Sequence, residues 1–146
     1  MHTLAVSKIM RKLAIKMGEN ETKWELVGLL HDIDYDLVRD DMSQHGILSS
    51  EKLKGKLPED CLYAIKSHDY RKGFKPQNTL DKALSLADLL VWISEKGERK
   101  IATIEDLDST IERIATKEPW LTEESLKYEE LGFSKVELLK MIKEMM

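Results

Sequence analysis

Apolar residues return at three- and four-residue spacing along almost the whole chain, and alternating strand-like patterns are nearly absent. That property limits the fold more than any other, because a helical stripe with no sheet to cover must bury itself against other helices. Val6, Ile9, Met10, Leu13 and Met17 share one face of a first helix that Gly18 can cap. Trp24, Val27, Leu30 and His31 line a second. Ser43 can N-cap a short helix bearing Ile47, Leu48 and Leu53. Pro58 suits the first turn of a fourth, with Cys61, Leu62, Ile65 and His68 on one side. Thr79 can N-cap a long fifth helix carrying Leu80, Ala83, Leu84, Ala87, Val91 and Ile93, closed at Gly97. Residues 104–117, 123–130 and 135–145 read as further helices. The last begins at a Ser134-x-x-Glu137 capping box, with Phe133 and Leu138 as a hydrophobic staple. The expected class is all-α.

At 146 residues the chain is the size of one domain and long enough for a hydrophobic core. A formal net charge of -4 is the wrong sign for a general nucleic-acid binder, although a local basic patch can still hold a small phosphorylated ligand. The single cysteine, Cys61, allows no intrachain disulfide, which fits a reducing compartment. The first residues lack the long apolar block of a signal peptide, and no apolar stretch is long enough to span a bilayer. A cytoplasmic protein with no membrane partner is the expectation.

The chemistry-bearing residues are concentrated toward the N-terminus. The four histidines are His2, His31, His45 and His68, each at an end of, or within, a different expected helix. Asp88 interrupts the apolar stripe of the fifth helix, a costly position for an acid unless it is paired or bound to a metal. With Asp32, these residues can converge as His2, His31, Asp32, His45, His68 and Asp88. A mixed imidazole and carboxylate set suits a divalent transition metal (Fe, Mn, Ni, Co or Zn) better than calcium. So many donors exceed the needs of one catalytic ion that keeps open positions, and two ions bridged by a carboxylate would use them better. Each residue also has a plainer reading. His2 can be a frayed terminal side chain, His45 a surface histidine, His68 a hydrogen-bonded core histidine, and Asp88 the partner of a lysine.

In order along the chain, "HTLAVSKIMRKLA", "ELVGLLHDIDYD", "HGILSSEKL", "AIKSHDY" and "LDKALSLADLL" resemble the blocks of the HD-domain metal-dependent phosphohydrolases, and His2, His31-Asp32 and Asp88 resemble their H…HD…D signature. His45 and His68 are similar to the extra histidines of the subgroup that binds two metals. The tail "YEELGFSKVELLKMIKEMM" is similar to the end of small HDIG-type predicted hydrolases. The resemblance implies a single HD domain: a metal-binding core of five helices over residues 1–97 and accessory helices over 98–146. It implies His31 and Asp32 as metal ligands on adjacent helix-end positions, Asp32 as the bridge between two metals, His2 and Asp88 completing one and His45 and His68 the other. It implies a metal-bound water attacking phosphorus in line. Many relatives read HDIGK, whereas here Asp34 and Tyr35 follow the isoleucine. Asp34 can act as a general base, as a carboxylate behind the metal ligands, or as a plain turn residue; with Asp36 it is expected on the rim.

For phosphate, Arg71, Lys72 and Lys75 lie on the loop after His68, and Lys66 lies one turn before that loop. Arg39 is a weaker candidate. Tyr70 and Trp92 can stack on a base, although Trp92 reads first as a core or interface residue. The leading expectation is hydrolysis of a phosphate ester in a small phosphorylated substrate, with a nucleotide as the family-level guess. Alternatives within the same fold are a dinucleoside polyphosphate hydrolase, a di-iron oxygenase, and a non-catalytic binding module that keeps its metal for stability. Residues 98–146 can cover the core, form a homodimer surface or shape the pocket.

Overall fold

The computed structural model describes residues 1–145, Tyr70 by its backbone alone. The all-α expectation holds: α1 (His2–Met17), α2 (Glu21–Leu30), α3 (Ile47–Lys52), α4 (Glu59–Ser67), α5 (Thr79–Lys96), α6 (Ile104–Ala115) and α7 (Lys135–Met145) are joined by loops and short 3-10 turns. Among the described residues the only extended pairing is one isolated bridge between Lys54 and Leu57. Among the described residues no helix is long and apolar enough to cross a membrane. The chain divides into two compact units, residues 1–88 and 89–146, with the boundary inside α5.

The first unit is built on α1 and α2. Val6, Ile9, Met10 and Leu13 of α1 are buried, as are Trp24 and Val27 of α2. Gly18 closes α1 in the left-handed conformation, its N–H bonding back to the last turn. The two helices touch at Gly28, where an added Cβ would lie 2.8 Å from Ser7 Cα, so the backbones meet with no side chain between them. The expected stripe of α4 is also found, with Cys61, Leu62, Ile65 and His68 buried.

Two expected caps are corrected. Ser43 does not start α3. It lies in a 3-10 turn, Met42–Gln44, capped by Asp41, whose carboxylate accepts from the Ser43 N–H. α3 instead begins after Gly46, and its fully buried residue is Ser49 rather than Ile47 or Leu48. Thr79 is the first residue of α5, not its cap. Asn78 caps the helix by accepting from the Asp81 N–H at 3.1 Å, while Asp81 reaches back to the N–H groups of Gln77 and Asn78.

In the second unit, Leu107, Ile111 and Ile114 of α6 are buried, as are Leu138, Leu139, Met141 and Ile142 of α7. The capping box of α7 forms, with the Ser134 N–H on Glu137 at 2.8 Å and the Glu137 N–H on Ser134 at 3.3 Å. The helix expected over 123–130 is replaced by two 3-10 turns, Glu124–Leu126 and Glu129–Leu131. Thr122 and Ser125 exchange side-chain to backbone hydrogen bonds there, offering the chain an alternative to helical pairing, and Lys127 takes a positive φ. Trp92 stacks at 5.3 Å from Trp120.

Candidate metal centre

Two of the histidines sit at identical local positions. His31 ends α2 and His68 ends α4, each as the residue just past the last helical turn. A helix end leaves carbonyls without partners. His31 Nδ1 lies 2.7 Å from Gly28 O, and His68 Nδ1 lies 2.6 Å from Ile65 O. A carbonyl only accepts, so both Nδ1 atoms carry a proton and both Nε2 atoms are turned toward the centre as the ligating position. The helix ends thereby fix ring orientation and tautomer at once, as hydrogen-bond partners behind metal-bound histidines do. Ser85 on α5 completes this end of α4 by donating to His68 O at 3.1 Å.

His45 reaches the same point from the loop before α3. Gly46 makes this possible: it has a φ of +79°, and an added Cβ would lie 2.9 Å from Ile65 O and 3.2 Å from the His68 ring. The His45 Nδ1 faces Asp34 Oδ1 at 2.9 Å, again leaving Nε2 to point inward. His2, in the first turn of α1, joins them through its Nε2.

Asp32 lies among these nitrogens. Its Oδ1 is 3.4 Å from His31 Nε2, 3.2 Å from His45 Nε2 and 3.5 Å from His68 Nε2, while its Oδ2 is 4.0 Å from His2 Nε2. Asp88 Oδ1 is 2.7 Å from His2 Nε2 and 3.5 Å from His31 Nε2. Two donor groups that share His31 are compact enough for an ion: His2 with His31 and Asp88, and His31 with Asp32 and His68. Donors each ~2.1 Å from one ion lie about 3 Å apart at right angles and about 3.4 Å apart at tetrahedral angles, which matches most of these spacings.

The strongest sign of a missing partner is the pair His31 Nε2 and Asp32 Oδ1, both buried and neither with a hydrogen bond. A buried polar group left unpaired costs about 1–3 kcal/mol. A cation between them removes that cost, so the donor set fits a divalent transition metal.

The electrostatics agree. Burial pushes the Asp32 carboxyl up, but the imidazoles of His45 and His68 that face it, together with nearby His31, reverse this and hold it well below the usual carboxylate range. Asp88 follows the same course, with His2 and His31 outweighing burial. Burial alone would lower His68, and Asp32 and Asp88 raise it to about 9. The cluster is therefore anionic at its carboxylates, and an arriving cation displaces the proton of His68.

All of the expected donors, His2, His31, Asp32, His45, His68 and Asp88, are thus brought together. Asp34 is not where it was expected. It is fully buried rather than on the rim, and both its oxygens already accept hydrogen bonds, Oδ1 facing His45 and Oδ2 taking the N–H groups of Gly46 and Ser49 at 2.8 Å each. That leaves it no freedom to act as a general base. Asp36 is exposed and pairs with Arg39. The second His-Asp pair diverges from the first: Asp69 turns away to clasp Arg71, at 2.7 Å to Nε and 2.8 Å to an Nη.

Arg71 is engaged by Asp69, Lys66 Nζ lies 4.3 Å from the centre of the Phe74 ring, and Lys75 is exposed, its carbonyl accepting from Tyr63. Lys72 is half-buried, and its charge helps hold Asp41 below the usual carboxylate range, after the Ser43 hydrogen bonds. Lys66 also lines an open cleft of about 310 Å³ between α3 and α4, floored by Ile47, Leu62 and Tyr63. The Tyr70 side chain lies outside the described residues. Gly28, Gly46 and Ser49, which the sequence reading passed over, all support the centre; the one local hint was a glycine directly after His45.

The profile of the HD domain family matches residues 1–93, a span that contains every donor named above. Ribonuclease Y of Lawsonia intracellularis (strain PHE/MN1-00) is 29% identical over 114 residues, covering 77% of this chain and 21% of that protein. Ribonuclease Y of Onion yellows phytoplasma (strain OY-M) is 31% identical over 120 residues, covering 80% of this chain and again 21% of the relative. The chain therefore spans about a fifth of the length of these curated relatives. No solved structure matches at the same stringency.

Proposed function

The chain belongs to the HD domain family, and on that premise we propose that it is a metal-dependent phosphohydrolase acting on a small phosphorylated substrate, with nucleotides as the class to test first. The observation that carries the reading is the buried, unpaired couple of His31 Nε2 and Asp32 Oδ1 among the other inward-facing imidazoles. In this reading His2 and Asp88 would hold one ion, His45 and His68 another, and Asp32 and His31 would serve as donors common to the cluster. A divalent transition metal held there supplies an acidified water and neutralises charge on the phosphoryl group.

The chain's own residues do the positioning. The ends of α2 and α4 and the Gly46 loop hold three Nε2 atoms around one carboxylate oxygen before any ion arrives. Lys66, Arg71, Lys72 and Lys75 supply the cations nearest in sequence to His68 for a substrate phosphate. Arg71 meets it only in competition with Asp69. The relatives' name, Ribonuclease Y, favours phosphodiester over phosphomonoester cleavage. The net charge of -4 favours a short substrate over a long polyanion.

The test is hydrolysis of bis(p-nitrophenyl) phosphate, p-nitrophenyl phosphate and a nucleotide panel by manganese- or zinc-loaded protein, beside Asp32→Ala. We expect metal-dependent turnover of the diester, abolished with the bound metal in Asp32→Ala. Loaded wild-type protein that hydrolyses none of these would overturn the assignment.

A further inference from the structure

Of the imidazoles that face the centre through Nε2, those of His31, His45 and His68 are each set by a partner on Nδ1. For His31 and His68 that partner is a backbone carbonyl, Gly28 O and Ile65 O, which no substitution at those positions removes. For His45 it is a side chain, Asp34. We propose that Asp34 is a positioning residue that decides whether the His45 side of the centre can hold an ion, and so whether the chain takes two ions or one. This rests on the metal-centre reading above.

The geometry makes Asp34 hard to replace. Its carboxylate meets only donors: the His45 Nδ1–H at one oxygen, and the N–H groups of Gly46 and Ser49 at the other. The last two are orphan donors at the start of α3, so Asp34 caps that helix from a distant loop. The Asp34 N–H in turn donates to Ser49 Oγ at 3.1 Å, which ties the two segments together. With the carboxylate fully buried, no water competes for these bonds.

An asparagine has nearly the same shape but only one acceptor oxygen. If that oxygen takes the two backbone N–H groups, the amide NH2 faces His45 Nδ1. The imidazole must then accept at Nδ1 and carry its proton on Nε2, the atom that has to be bare to bind an ion. If the amide is turned the other way, its NH2 opposes two N–H donors. The first arrangement leaves fewer unpaired donors, so Asp34→Asn retains the fold and inverts His45. His31 and His68 keep their tautomers in either case.

The experiment is zinc titration of the full chain and of Asp34→Asn by calorimetry and elemental analysis, with long-range nitrogen-proton spectra of the zinc-loaded proteins. Wild type is expected to bind two zinc ions, with His31, His45 and His68 all protonated at Nδ1. Asp34→Asn is expected to keep the first ion, to weaken the second about 10–100-fold, and to move the proton of His45 alone to Nε2. A general structural defect would disturb all three rings together. Two ions at wild-type affinity in Asp34→Asn, or a His45 still protonated at Nδ1, overturns the proposal and leaves the hydrolase reading intact. Wild type that binds fewer than two ions overturns it too, and wild type that binds none takes the metal-centre reading with it. If Asp34→Asn does not fold, the zinc-loaded wild type decides: His45 lacking a proton on Nδ1 overturns the proposal, and a slowly exchanging one supports it.

Discussion

At the residue scale, the donors could be read from the sequence and their supports could not. Histidines and an acid on a core stripe stand out by type. Asp34 stands out only as one more charge in "HDIDYD", because its partners His45, Gly46 and Ser49 lie 11 to 15 residues away and are joined to it by folding alone. The same holds for Gly46, whose role needs the positions of Ile65 O and the His68 ring. An alanine there would carry a Cβ at positive φ and against a backbone carbonyl, two strains at once. Gly46→Ala is expected to lower stability by about 1–3 kcal/mol, measured by urea denaturation of the metal-free protein. It is also expected to weaken metal binding, because His45 and His68 are pushed apart. An unchanged midpoint would mean that the loop relaxes freely and that the close approach is incidental.

Element by element, local signals succeeded where a single candidate cap had no competitor beside it. Gly18 ends α1 and Ser134 with Glu137 starts α7, as expected. They failed where neighbours compete. Asn78 and Thr79 are both good caps, and only the reach of Asp81 back to Gln77 and Asn78 selects the first. The contact between α1 and α2 is a property of pairs of helices, so a single stripe cannot reveal it. Gly28 lets the backbones meet, and its carbonyl holds His31. Gly28→Ala is therefore expected to separate the two helices, costing about 1–3 kcal/mol by overpacking. It should displace His2 from His31, so that the ion on the His2 side is lost before the one at His45 and His68. Zinc titration checks the order, and loss of the second group first would show that α1 does not set the position of His2.

For the molecule as a whole, the division into two units leaves every donor in residues 1–88. The donors' charges make the stability of that unit depend on pH and on metal in opposite ways. In the absence of metal, His68 is raised from 6.5 to about 9. Its contribution to stability is complete below 6.5 and is lost as the pH rises through about 9. Asp32 and Asp88 are lowered from 3.8, so their contributions are present above 3.8 and are lost only as the pH falls through their lower folded values. Thermal melts in chelator are thus expected to fall as the pH is raised from 6.5 past 9. With metal in excess the trend is expected to reverse over the same range, because the ion no longer competes with a proton; free metal at about 100 times Kd adds ~2.7 kcal/mol per site. A chelated protein whose melting temperature stays flat or climbs would contradict the electrostatic account of the cluster.

The placement of His31 and His68 at helix ends carries a kinetic consequence. Each ring is clamped when its helix terminates, so its rotational freedom is surrendered during folding, long before an ion diffuses in. Little search among rotamers is left for the moment of capture. The step that limits loading is then the shedding of water by the ion itself, and metals should enter this chain in the order of their own ligand-exchange rates.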